Sequence, residues 1–184
     1  YYSIDIAKSS KYVDDVVVST EDSEIASIVE KYGTSVVKRP VELATDETLL
    51  DTVIYDAMLQ KEKQAFDEYD IVITIQPSSP LLKTETLDKA IEKFADFNID
   101  SVISVVDDKN LRWGFDDENG RYFPFYSERL YRDLLPKTFK ETGGILATRR
   151  NFVTETTRLG LNIDLSEISR EESVEKNTNE DIGS

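Results

Sequence analysis

The chain has 184 residues, with 22 Lys and Arg against 37 Asp and Glu, a formal net charge of −15, and neither cysteine nor histidine. That inventory excludes disulfides, thiolate nucleophiles, Ser-His and Cys-His catalysis, and any metal site built on imidazole or sulfur. The acidic balance argues against nucleic acid or an anionic membrane as partner, no apolar run approaches the ~20 residues of a membrane span, and a cytoplasmic placement is expected.

Residues 1–10 read as a helix already under way, carrying charges where a signal peptide would be apolar. The β-branched run 13–18 reads as a strand. Residues 22–32 carry Ile25, Ile28, Val29 and Tyr32 at amphipathic-helix spacing, stopped by Gly33. A second short strand covers 34–37 and leads into the loop Lys38-Arg39-Pro40. Thr45 or Asp46 is placed to cap a long helix with Leu49, Leu50, Val53, Ile54, Ala57 and Met58 on one face. Residues 71–75 are apolar nearly throughout, as in a strand covered on both sides, and Gln76-Pro77-Ser78-Ser79-Pro80 ends it. Thr84 is expected to cap a helix bearing Leu87, Ile91, Phe94 and Phe97, and 101–106 is another buried strand.

This alternation predicts an α/β fold with a mostly parallel sheet and helices on both faces. The pattern changes after Asp107. Segments 113–115 and 121–123 flank Asp117-Glu118-Asn119-Gly120, a good hairpin turn. A basic, aromatic stretch fills 123–132, followed by a strand near 145–147, a helix near 149–156 and a last strand at 161–165. We read one domain over 1–184, with the hairpin region as a subdomain or dimerisation arm. Thr178-Asn179-Glu180-Asp181 has the form of a helix-start box with no apolar run behind it, so the chain is expected to continue beyond both termini.

Ligands of open α/β sheets bind outside the carboxyl ends of the strands. On that edge Arg39 is a candidate phosphate or base contact, against the alternative of a surface salt bridge. Gln76 is a candidate reader of a base or sugar hydroxyl, against that of a polar strand-end residue. Trp113 and Phe123-Pro124-Phe125-Tyr126 read as an apolar interface. The seven glycines form neither G-x-G-x-x-G nor G-x-x-x-x-G-K, which excludes the dinucleotide fingerprint and the Walker loop.

Residues 16–26, Lys38-Arg39-Pro40 with its continuation to Asp46, and Ile75-Gln76-Pro77-Ser78-Ser79-Pro80-Leu81 resemble the acylneuraminate cytidylyltransferases, or CMP-sialic acid synthetases. Arg132 with Leu135-Pro136, Thr142-Gly143-Gly144-Ile145 and residues 173–181 continue the likeness in order. The resemblance implies a nucleotide-diphospho-sugar transferase, Rossmann-like fold with a small β-rich dimerisation arm at 112–140, and a homodimer. It implies transfer of CMP from CTP to a sialic-acid-like nonulosonic acid with release of pyrophosphate, supported by Mg²⁺. Arg39 would then contact the nucleotide, Gln76 the substrate cleft, and Arg112 and Arg132 the sugar carboxylate or phosphates. Such chemistry is compatible with the absence of histidine, because nucleotidyl transfer rests on positioning and charge neutralisation.

Three departures accompany the likeness. The family opens with a strand and a Gly-, Arg-, Ser- and Lys-rich loop that would precede Tyr1. Its Asp-Ile-Asp-Thr metal motif reads Glu175-Lys176-Asn177-Thr178, leaving Glu175 and Asn177 as degenerate metal candidates. Its aromatic residue after Gly-x-Ile is Leu146. The alternative function is an inactive or truncated relative acting as a nucleotide- or sugar-binding module or an oligomer partner.

Overall fold

The computed structural model describes residues 1–45 and 47–174. In chain order the elements are α1 (Tyr2–Ser9), β1 (Val17–Thr20), α2 (Ser23–Lys31), β2 (Ser35–Lys38), α3 (Leu50–Ala65), β3 (Ile71–Thr74) and α4 (Thr84–Glu92). They continue with β4 (Ser101–Asp107), β5 (Trp113–Asp116), β6 (Arg121–Pro124), β7 (Phe139–Arg149) and β8 (Ile163–Glu167).

Local chemistry sets the helix ends. Asp22 caps α2 by accepting from the N–H groups of Glu24 and Ile25 at 2.7 and 3.1 Å. Gly33 follows with φ +71°, a conformation that needs no Cβ. Neither expected cap holds at the other two helices. Leu49 precedes α3 without a side-chain cap, and Thr45 shares a hydrogen bond with Thr48 instead, at 2.8 Å. Asp46 lies outside the described residues. Thr84 is already the first residue of α4, and its hydroxyl donates to the carbonyl of Ile6 at 3.3 Å, tying α4 to α1.

The strands form two separate sheets and a hairpin. β1 pairs with β2 in parallel. The larger sheet has the order β3-β7-β4-β8, in which β7 runs antiparallel to both neighbours and β4 parallel to β8. The fold is α/β as expected, and the larger sheet is mixed, with β3, β4 and β8 parallel to one another and β7 reversed among them. The late chain segment inserts as β7 between β3 and β4, which remain parallel to each other. Among the described residues no ladder joins β1 to β3. Their apolar residues Val17, Val18, Ile71, Val72 and Ile73 are only half-buried.

One face of the larger sheet carries the core. Leu87, Ala90 and Phe94 of α4 and its extension, with Ile6 of α1 and Leu82, pack on Val102, Ile145 and Ala147. Full burial of a side chain such as Leu87 contributes roughly 1.5–3 kcal/mol. Alternation along the strands turns Thr74, Leu146 and Thr148 to the opposite face.

Residues 149–156 are not the helix that their pattern suggested. A single 3-10 turn spans Arg150–Phe152, because both arginines are anchored elsewhere. Arg149 donates to the carbonyls of Ile99 and Phe94 at 2.8 and 3.0 Å and lies over the Phe94 ring. Arg150 grips Glu62 of α3 through two bonds of 2.9 and 2.8 Å. That pairing holds the Glu62 carboxyl below its usual range, against the upward push of burial.

Beyond β4 the chain turns out into the β5–β6 hairpin, paired from Trp113↔Pro124 to Asp116↔Arg121. Asp116 accepts from the N–H groups of Glu118 and Asn119, and Gly120 takes φ +62°. Tyr122, Phe125 and Tyr131 are 75%, 67% and 85% exposed. No helix among the described residues is long and apolar enough to cross a membrane.

Candidate active site

Because β3 and β4 are parallel, their carboxyl ends share one edge, and the chain leaves that edge at Gln76 and Asp107. A bulge in β7 builds the site there. Between the pairs Ile103↔Leu146 and Val105↔Glu141, β7 advances five residues while β4 advances two. Ser104 stitches the bulge. Its Oγ shares a hydrogen bond of 2.7 Å with Thr142 Oγ1 and accepts from the Ile145 N–H at 2.7 Å.

The bulge pushes Gly143 against Gln76. The Gln76 N–H donates to the Gly143 carbonyl at 3.1 Å. A Cβ on Gly143 would lie 2.3 Å from Gln76 Oε1, so only glycine permits this approach. Gln76, Thr142, Gly143, Leu146 and Arg158 line a cleft of about 250 Å³, with Glu141 on its wall. That volume is below the ~300–1,000 Å³ of pockets that enclose a drug-sized ligand. It suits one sugar-sized group in an open cleft rather than a whole nucleotide-sugar. Leu146, where the family carries an aromatic residue, lies on this wall.

Arg39 is held elsewhere, in the loop after β2. Its Nη2 donates to the Ser19 carbonyl at 2.9 Å and its Nη1 lies 3.3 Å from Glu21. Its Nε and the Ser19 Oγ are buried without a hydrogen-bond partner among the described residues. A buried polar atom left without a bond costs roughly 1–3 kcal/mol until something supplies one. Arg39 and Gln76 thus sit on different sheets, and Arg39 does not line the Gln76 cleft.

Arg112 and Arg132 are not in this cleft either. Arg112 is exposed at the base of the hairpin and pairs with Asp108. Arg132 is exposed on a 3-10 turn, Arg132–Leu134. Glu175 and Asn177 lie outside the described residues. Among the described residues no group of three or more acidic side chains could hold a metal ion.

Arg158 escaped the sequence reading. It stands in an irregular loop, and its partner Asp51 is at the start of α3, 107 residues earlier. Nothing in Thr156-Thr157-Arg158-Leu159-Gly160 marks it out; only the fold brings it to Gln76.

The chain is 38% identical over 106 residues to the post-translational flagellin modification protein B of Campylobacter coli, covering 57% of this chain and 45% of that protein. It is 39% identical over 80 residues to the CMP-N,N'-diacetyllegionaminic acid synthase of Campylobacter jejuni, covering 43% and 34%. The chain thus spans less than half the length of either relative. Among solved structures, the 4-diphosphocytidyl-2C-methyl-D-erythritol synthase of Anaerococcus prevotii shares the fold with a TM-score of 0.68 at 14% identity, over 98% of this chain and 81% of that one. The cytidylyltransferase family profile matches residues 1–115, which hold β1, β2, β3 and the Arg39 and Gln76 loops, and on that match the chain belongs to the cytidylyltransferase family.

Proposed function

We propose that the protein transfers the CMP unit of CTP to the anomeric hydroxyl of an acidic nine-carbon sugar. In that step the sugar oxygen attacks the α-phosphorus, the bond to pyrophosphate breaks, and the hydroxyl proton passes to solvent. The carrying observation is the cleft at the end of β3. There a bulged strand sets Gln76 beside Thr142 and Arg158, at the edge where α/β sheets bind ligands. Amide and hydroxyl groups suit sugar hydroxyls, and the small volume suits one sugar. The orphaned Nε of Arg39 supports a nucleotide contact in the other sheet.

Mg²⁺, with its preference for oxygen ligands, is the cofactor we assign to the phosphate charge, with Glu175 and Asn177 as its sequence candidates. Arg112 and Arg132 would meet sugar or phosphate only from the second subunit of a homodimer. The exposed aromatic hairpin supports that assembly, because an apolar patch of this kind marks a contact surface. The cytoplasm, which supplies CTP, is the compartment we assign.

Calorimetry with CTP, Mg²⁺ and N-acetylneuraminic acid tests the reading, with ³¹P NMR to follow formation of the CMP-sugar. We expect saturable binding of both ligands, and weakened sugar binding in Gln76→Ala. Absence of binding by either ligand would overturn the proposal.

A further inference from the structure

We infer that Arg158 receives the carboxylate of the acidic sugar and so sets the preference for an acid, with Asp51 as its positioning residue. This rests on the reading of the cleft as the sugar site.

Among the described residues lining the cleft Arg158 is the one cation, and Glu141 the one anion. Arg158 engages Asp51 through Nε, and its two Nη groups hold no bond to protein among the described residues. The end-on pair of donors is therefore left over. That is the geometry with which a guanidinium takes a carboxylate through two parallel bonds. The side chain is only 13% exposed, so water competes weakly and the attraction is stronger than at an open surface.

The loop that carries Arg158 is fixed before any ligand arrives. Its carbonyl accepts from Thr148 Oγ1 at 2.5 Å. The Thr52 hydroxyl donates to the Glu155 carbonyl at 3.0 Å, and the Thr154 N–H to the Thr157 carbonyl at 2.8 Å. Two links to α3 and one to β7 leave the guanidinium little freedom, so little ordering entropy is lost on binding. Glu141 repels an anion from its own side, so a carboxylate entering the cleft has one favourable end. A neutral C1 carboxamide offers the guanidinium one carbonyl acceptor and no charge, and its NH2 faces the second donor, so the acid is favoured by both charge and pairing.

The test compares N-acetylneuraminic acid with its C1 carboxamide, on wild type, Arg158→Met and Arg158→Lys, by saturation-transfer NMR titration alongside thermal melts. Wild type should prefer the acid. Arg158→Met should lose roughly 10- to 100-fold affinity for the acid and almost none for the amide. Arg158→Lys should keep part of the preference. Equal loss for acid and amide would make Arg158 a tether to α3 only, and overturn the inference. So would unchanged acid binding in a folded Arg158→Met. If Arg158→Met does not fold, Arg158→Lys decides: a reduced preference for the acid supports the assignment, and an undiminished one sinks it. Wild type that binds neither acid nor amide would instead refute the sugar reading of the cleft, whereas wild type that binds both equally would refute only the role of Arg158.

Discussion

The closest approach in the cleft gives the sharpest separation of function from stability. In Gly143→Ala the new Cβ would lie 2.3 Å from Gln76 Oε1 and 2.8 Å from its Cδ, where ordinary contact begins at 3.4 Å. The Gln76 amide must therefore retreat by roughly 1 Å. The obstructed atoms are the far end of a flexible side chain, so a new rotamer relieves the clash at about 0.5–1.5 kcal/mol. Lower entropy of the unfolded chain offsets this by about 0.4–1 kcal/mol. Net stability should move by less than about 1 kcal/mol, or within about 4 °C in Tm for a chain of this size. Binding should respond quite differently. Loss of the Gln76 hydrogen bond predicts sugar affinity lower by roughly 3- to 10-fold, and turnover lower by up to ~100-fold, since misplacement on this scale is costly. Calorimetry and thermal melts on the same preparation decide. An unaltered sugar affinity with an intact fold would refute the placement of Gln76 in the site.

Four further outcomes are expected. Arg150→Met strands the buried Glu62 carboxylate and should destabilise by roughly 2–4 kcal/mol in urea unfolding, whereas the double variant with Glu62→Leu should recover most of it; equal losses in both would refute the pairing argument. Glu62, through Arg150, and Glu172, where hydrogen bonds from Thr86, Ser169 and the Lys83 N–H outweigh the upward push of burial, both titrate below the ordinary 4.5. Their stabilisation is complete above that value and is lost as pH falls through the lower folded values, so Tm should drop there, and a Tm level in acid would contradict it. Burial, then Asp15, pushes Tyr69 from 10.0 up to about 12, so its contribution should fade as pH rises through that interval. Finally, Tyr122→Ser with Phe125→Ser should turn a homodimer into a monomer in sedimentation; a wild type already monomeric at micromolar concentration would refute the role of the arm.

Much of the fold was legible because its signals are local. The apolar runs at β3 and β4, the Asp22 cap with Gly33 beyond it, and the Asn119-Gly120 turn each carry their instruction within a few residues. β7 did not. Its first half, Phe139 to Gly144, has charges and two glycines where a strand would have β-branched residues, and it is a strand only because β4 lies beside it and Ser104 braces the bulge. The helix expected at 149–156 failed for a related reason. Two arginines that suit a helix are worth more bonded to Glu62 and to the carbonyls of Phe94 and Ile99. Of the candidate site, Gln76 was readable as the polar end of an apolar strand, whereas Arg158 was invisible because its meaning depends on Asp51 and on a cleft made by other segments.

The side chains that link the β1–β2 pair to the rest of the molecule set how it responds to salt. Asp15, ahead of β1, takes Lys61 of α3 at 3.1 Å and Tyr69, ahead of β3, at 2.8 Å, and Lys8 of α1 reaches the Gly33 carbonyl at 2.7 Å. The Lys61–Asp15 link is an ion pair between partly exposed groups, so added salt screens it and loosens that one tie while the Tyr69 hydroxyl bond stands.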